Sequence, residues 1–251
     1  MRLGRFAGRA GDVGQLADQG AHAAQAICRL RPVGFENQLV VGLHSDAAAR
    51  LLHEQQIEAL AEWYRVQGVK VRFEIVPGYC DAAVGRELAR LGYYQSGFHT
   101  SLVCEPQLKA PAAAPDIAIE RIDEAAALDQ FLATHAAGWS IADVPGFKAN
   151  VRGWLGQPGW SLYLARLDGK PAATAILYVA DKVGYCADAA TDPAFRGRGL
   201  QSALLHRRIA DASAAGVDFI CSGADFLSRS HRNMERAGMR VLFVRGLWTA
   251  L

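Results

Sequence analysis

The chain has 251 residues and a formal net charge of +2, from 27 Lys and Arg against 25 Asp and Glu. With 51% hydrophobic and 21% charged residues it reads as a globular sequence, not a disordered one, long enough for one large domain or two small ones. The near-neutral balance gives no sign of nucleic-acid binding. The longest strongly apolar run, 172–180, is far shorter than the roughly 20 residues of a membrane-spanning helix. Near the start, Arg2, Arg5 and Arg9 are followed by Gly, Asp and Gln, not by the apolar core of a secretory signal.

Five cysteines, Cys28, Cys80, Cys104, Cys186 and Cys221, form no C-x-x-C pair. An odd count without such spacing fits small buried thiols in a reducing cytoplasm, not a disulfide framework or a zinc site. His53-Glu54 begins like H-E-x-x-H, but Ile57 stands at the second ligand position, so a metal site is not expected.

In chain order, residues 12–42 have room for a helix and one strand. A helix is predicted over 51–66, stopped by Gly68, then a strand over 69–76. Asp81 caps a further helix that ends at Leu91-Gly92, and 94–103 reads as a strand. The stretch from Glu105 to Asp116, EPQLKAPAAAPD, carries three prolines and an alanine run. Proline withholds a donor and disfavours helix in the residue before it, so this segment is read as an extended linker, 106–115, between a first part, 1–105, and a second, 116–251.

In the second part, Ile117-Ala118-Ile119 alternates with polar neighbours like a short strand. Asp123 is expected to cap a helix running to 137, with another helix over 147–155. Strands at 160–167 and 172–179 flank Asp168-Gly169, a hairpin signal, and a third strand lies at 182–190 after a turn at Ala180-Asp181. A helix over 200–215 places Leu205, Ile209 and Ala212 on one stripe and stops at Gly216. A strand at 217–221, a helix at 228–237 stopped by Gly238, and a strand at 241–249 complete the order β-α-α-β-β-β-α-β-α-β. This is a mixed α/β layer fold. The punctuation GVKVRFEIV…ELARLGYYQSGF recurs in GVDFICSG…NMERAGMRVLF, Gly68 matching Gly216 and Gly92 matching Gly238. Helix–Gly–strand order is common in α/β proteins, but order and spacing agree together here and point to a duplicated unit.

The chemistry concentrates in Asp192-Pro193-Ala194-Phe195-Arg196-Gly197-Arg198-Gly199-Leu200-Gln201-Ser202. A strand feeds a two-glycine loop that opens directly into a helix. Glycine lets a ligand approach the main chain closely, and the first helical turn offers free N–H groups and partial positive charge. Arg196 and Arg198 add full charges, so the loop is suited to a pyrophosphate. It is not a nucleotide P-loop, because no G-x-x-x-x-G-K-[ST] run exists. Nor is it a dinucleotide fingerprint, because Ser202 stands at the third glycine position and the strand before it belongs to a meander.

Arg196-x-x-Gly199 on a helix after a three-stranded meander resembles the acyl-CoA-binding motif Q/R-x-x-G-x-G/A of the GNAT superfamily of acetyltransferases. The element order matches that family across 116–251. The stretch Asn233-Met234-Glu235-Arg236-Ala237-Gly238-Met239 resembles its penultimate helix, and the first part resembles a degenerate copy, as in tandem GNAT proteins. Two departures stand out: Gln201 replaces the Gly/Ala that ends the motif, and Met234 stands where many members carry a tyrosine proposed to protonate the leaving thiolate.

The resemblance implies transfer of an acetyl group from acetyl-CoA to an amine of a small molecule or peptide, without a metal. It implies a cofactor splay between the strands at 182–190 and 217–221, with backbone groups at Ala189, Ala190 and Thr191 binding the pantetheine arm and the oxyanion. Gly197, Arg198, Gly199, Leu200, Gln201 and Ser202 would join Arg196 at the pyrophosphate, and Ser228 and Ser230 could donate to the cofactor or act as ordinary N-caps. Asp188 is the candidate base, or else a residue that only lines the pocket or faces solvent. Trp139, Trp154 and Trp160 read as core anchors, His135 and His231 as polar helix residues, and Arg207-Arg208 as a solvated helix face. A non-catalytic acyl-CoA-binding or sensing protein is the alternative, and a homodimer is conceivable. The first part, with only Gly42 in its counterpart loop and Asp46 near the helix start, is expected to bind no CoA.

Overall fold

The computed structural model describes residues 39–42, 54–66, 71–76, 83–107, 111–140, 145–180 and 182–251. The chain forms two compact units, 1–99 with 243–251, and 100–242.

In the first unit, β1 (Leu39–Gly42) runs parallel to β2 (Val71–Ile75). Helix α1 (Glu54–Val66) and helix α2 (Ala83–Arg90) supply the apolar stripes. Ile57, Leu60, Ala61 and Tyr64 recur at helical spacing, as do Val84 and Leu88, and they close over Val71 and Phe73. Gly92, at φ 80°, stops α2 in the left-handed conformation that glycine adopts without strain. Strand β3 (Tyr93–Cys104) follows, and residues 246–249 of β9 (Arg240–Ala250) pair antiparallel with β2. Glu74 is buried and pairs with Arg72 at 3.0 Å and Arg245 at 2.8 Å, so its charge is compensated. The predicted loop at 43–47, the helix start at 51–53 and the Asp81 cap lie outside the described residues.

The second unit follows the predicted order as far as its last helix; the predicted last strand, 241–249, falls almost wholly in the first unit. Strand β4 (Ile117–Ile122) leads to α3 (Ala125–Trp139) and α4 (Pro145–Trp154). An antiparallel meander follows, β5 (Trp160–Leu167), β6 (Lys170–Ala180) and β7 (Val183–Thr191). After a 3-10 turn (Pro193–Phe195) come α5 (Leu200–Ala214), β8 (Phe219–Asp225) and α6 (Arg229–Arg236). The strands stand in the order β8-β7-β6-β5-β4, antiparallel except for the β7–β8 pair. The β5–β6 turn is tight because Asp168 and Gly169 both take positive φ, 49° and 76°.

Both faces of this sheet are covered, which is why its strands read as nearly continuous apolar runs. Leu162, Leu164 and Ile176 pack with Phe131, Leu132 and Val151 of α3 and α4. Tyr163, Ala165, Ala175, Leu177 and Cys186 pack with Leu204, Leu205 and Ile209 of α5. The N-cap of α3 is Glu124, not the expected Asp123; Glu124 is extended and makes no side-chain cap bond. Asp123 is drawn toward Arg121 at 3.5 Å and stays in solvent.

Candidate active site

Strands β7 and β8 pair only from Val183↔Phe219 to Cys186↔Ser222. Strand β7 continues along β6 to Thr191↔Ala173. The Ser222 hydroxyl donates to the Cys186 carbonyl at 2.7 Å, closing the fork. Beyond it, the side of 187–191 that β8 would occupy offers backbone groups of the kind an extended ligand can pair with. The same segment is bulged. Ile176 pairs with Ala187 and Thr174 with Ala190, so Asp188 and Ala189 together face the one residue between, Ala175. Asp188 sits at φ 31°, unusual for a residue with a side chain.

At the end of β7 the Asp192 carboxylate accepts from the Ala194 N–H at 2.9 Å and starts the 3-10 turn. Gly197 and Gly199 both have φ 82°, and Gly199 is the N-cap of α5 with no side-chain cap bond. A Cβ built at either glycine would meet no atom within 4 Å. The first N–H groups of α5 thus have no side-chain cap and no intrahelical partner.

The two loop arginines, expected at the pyrophosphate, each also have protein partners. Arg196 donates from Nη2 to the Gly138 carbonyl at 2.9 Å and from Nε to the Thr191 carbonyl at 3.3 Å. It ties the loop to the end of β7 and the end of α3. The fit there is close: a Cβ at Gly138 would lie 2.7 Å from the Ala190 Cβ. Arg198 donates to Asp116 at 3.3 Å. Leu200 is buried, so it offers the loop only its backbone. The Gln201 amide is drawn to α6, donating to the Ser230 hydroxyl at 2.8 Å and accepting from Asn233, while Ser202 is half-buried in the same first turn. Ser228 is the N-cap of α6 and accepts from the His231 N–H at 3.2 Å.

Arg208 is fully buried, not on a solvated helix face as its pairing with Arg207 suggested. Its Nη1 donates to the Ile176 carbonyl at 3.1 Å and the Ala187 carbonyl at 2.8 Å, and its Nε to the Leu204 carbonyl at 3.2 Å. The sequence did hold a signal: Leu204, Arg208 and Ala212 lie at i, i+4 and i+8 on the stripe that faces the sheet. Burial raises the Asp188 carboxyl to about 6, against the opposing pull of the Arg208 charge. Arg207 does face outward in part, and pairs with Asp211, which also accepts from the Tyr163 hydroxyl at 2.8 Å.

The two histidines are interior groups, not exposed helix residues. His231 is buried under Phe226 and accepts from the Leu227 N–H. His135 is buried, stacked on Phe131, with Nδ1 2.8 Å from the Thr174 hydroxyl. Of the tryptophans, Trp154 and Trp160 stack at 4.5 Å against the α3–α4 face, while Trp139 is exposed. Met234 is buried among the apolar residues beneath α5. Burial lowers the His135 pKa to about 4. The unfolded chain then binds the extra proton as pH falls below about 6.5, so stability present above that value is lost on the way down to about 4. The expected loss is about 2 kcal/mol between pH 7 and 5. Asp188, whose pKa is raised, acts in the opposite sense, its stabilisation being present below about 3.8 and lost as pH rises through about 6. Urea titrations of the wild type and His135→Gln at both pH values isolate the histidine: the difference between them should shrink at pH 5. Parallel pH dependences would refute it.

Cys104 and Cys186 are buried free thiols and Cys221 is a half-buried one. Burial pushes Cys104 up to about 11 and raises the other two, so none of the three is a ready thiolate. Cys28 and Cys80 lie outside the described residues. Among the described residues, no three His, Cys, Asp or Glu side chains gather as metal ligands, and no helix is long and apolar enough to cross a membrane.

Comparison with known proteins agrees with this geometry. The model of the family described as "Acetyltransferase (GNAT) domain" matches residues 107–227. A solved GCN5-related N-acetyltransferase from Sphaerobacter thermophilus superposes with TM-score 0.65 at 18% identity, covering 77% of this chain and 66% of its own. One from Kribbella flavida gives 0.64 at 17% identity, over 94% of this chain and 96% of its own. A tandem GNAT protein from the clavulanic acid biosynthesis pathway gives 0.57 at 13% identity, over 78% of this chain and 68% of its own. At these identities the likeness is one of fold. No curated protein matches the sequence. The forked β7–β8 pair and the two-glycine loop opening α5 both lie in the stretch, 107–227, that matches the GNAT acetyltransferase domain, a little under half of the chain.

Proposed function

We propose that the chain transfers an acetyl group from acetyl-CoA to an amine of a small molecule or peptide. One observation carries the reading: the unpaired side of β7 at 187–191 leads straight into an uncapped helix start at 199–202. An extended arm carrying a pyrophosphate at one end suits that path. The N–H groups of 197–202 receive the phosphates, aided by the helix dipole. Backbone groups at Ala189, Ala190 and Thr191 pair with the pantetheine arm, and one of those N–H groups stabilises the oxyanion. Ser228 and Ser230 keep hydroxyl hydrogens to donate from the start of α6. Asp188 takes the proton from the ammonium, directly or through water. The amine attacks the thioester carbon, a C–N bond forms, and the C–S bond breaks to release the CoA thiolate. Met234 has no proton to give. A thiol pKa near 8.5 makes the thiolate a tolerable leaving group, protonated afterwards by solvent.

The buried thioether of Met234 also favours a second reading, a protein that binds acyl-CoA without turning it over. The first part, 1–105, serves in either case as a structural half that binds no CoA. Calorimetric titration should give one acetyl-CoA site per chain, and free CoA should appear when an amine panel is added. One site without turnover selects the second reading. Two sites per chain refute the structural role of the first part, and no site refutes both readings.

A further inference from the structure

Arg208 is a costly residue to place where it is. Among the described residues no carboxylate lies within 4 Å of its guanidinium, and the side chain is 1% exposed. A buried cation is tolerated only where its donors are satisfied and opposite charge is near. Its donors go to carbonyls at a specific place. Ile176 and Ala187 are the last regular β6–β7 pair before the bulge, and one nitrogen, Nη1, accepts the task of holding both carbonyls. The third carbonyl, Leu204, is on Arg208's own helix one turn back, and fixes the side chain's direction.

We infer that Arg208 is a positioning residue that pins the peptide entering the bulge, so that 188–190 stay displaced from the β6 ladder and present their backbone to the thioester end of the ligand. This rests on the acyl-CoA reading above. The Ala187 carbonyl points to the guanidinium, and the chain direction of Asp188 is set from that anchored peptide, which accounts for a non-glycine residue held at φ 31°. The guanidinium sits on the α5 side of the sheet while the forked edge of β7 stays open, so the anchor does not occupy the ligand's path. Without the cation, two carbonyls lose their shared donor and the extra residue in β7 has no fixed place.

The test separates the two ends of the ligand. Arg208→Met fills the same channel without donors or charge, and Arg208→Lys keeps one cationic donor group on a shorter reach. Titrations use acetyl-CoA and 3′-phosphoadenosine 5′-diphosphate, its nucleotide end, with amide hydrogen exchange at 187–191 followed in the unliganded protein. Arg208→Met should weaken acetyl-CoA at least tenfold and leave the nucleotide within about twofold. Its 187–191 amides should exchange faster while those of 117–122 do not change. Arg208→Lys should fall between the variant and wild type. A Met variant that binds acetyl-CoA as wild type, or loses both ligands equally, overturns the role. If Arg208→Met does not fold, Arg208→Lys decides alone: unchanged acetyl-CoA affinity and unchanged exchange at 187–191 overturn it. Wild type that binds neither ligand overturns the acyl-CoA reading itself, a result distinct from any of these.

Discussion

Gly199→Trp should lose the thermal stabilisation expected of acetyl-CoA in the wild type. At a ligand concentration ~100 times Kd that stabilisation amounts to about 2.7 kcal/mol. Gly199 is the N-cap of α5 at φ 82°, ψ −2°, and no atom lies within 4 Å of where its Cβ would stand. An indole built out from that open Cβ position should obstruct the ground in front of the 200–202 N–H groups. The left-handed backbone adds a cost of its own, about 1–2 kcal/mol for a residue with a Cβ. Gly199→Ala carries that cost with little obstruction and is the control. Both variants should melt somewhat below wild type, but only the alanine variant should retain most of the ligand-induced shift. An undiminished shift in Gly199→Trp would show that the phosphates do not bind at this helix start. Arg196 is a poorer probe, because it also braces Gly138 and Thr191, and its removal would disturb the scaffold.

How far the sequence could be read follows from the range of each signal. The meander, the loop and α5 were legible because short-range rules dictate them: Asp168-Gly169 makes the hairpin, Gly199 opens a helix, and Leu204, Leu205 and Ile209 mark its buried face. The roles of the arginines were not. A side chain of that length chooses among partners brought together by the fold, and the carbonyls of Gly138, Ile176 and Ala187 carry no mark in sequence. The β7 bulge was hidden for the same reason, since an extra residue shows only against the register of β6. His135 looked like a polar residue on a helix because its cost of burial is met by Thr174 and by stacking on Phe131, contacts 39 residues away in the first case. In the first unit, the compact core about Ile57, Phe73 and Leu88 follows the helical stripes directly.

Asp188→Asn should lower kcat for acetyl transfer by about a hundredfold or more while leaving acetyl-CoA affinity nearly unchanged. The amide keeps the shape of the carboxylate and removes only its basicity. A hundredfold corresponds to about 2.7 kcal/mol of transition-state stabilisation, within reach of a single positioned base. The acid limb of the pH profile gives the more specific signature. With the carboxyl raised to about 6 by burial, the base is protonated and idle below that value and ionised above it. Wild-type kcat/KM should therefore climb as pH rises through about 6 and then level. The acceptor's own ionisation lies far above, near 10 for an alkylamine in water, and a dry site brings it down toward the base. That desolvation is what lets the carboxylate accept an ammonium proton, since from an amine that keeps its value in water to a carboxyl at about 6 the transfer runs uphill by about four pKa units. The Arg208 charge opposes the burial and pulls the carboxyl back down. In the variant the limb should vanish and the residual rate should depend on pH only through the acceptor. A variant that keeps both the wild-type rate and the limb near pH 6 would move the base to another group and leave Asp188 as a wall of the cleft.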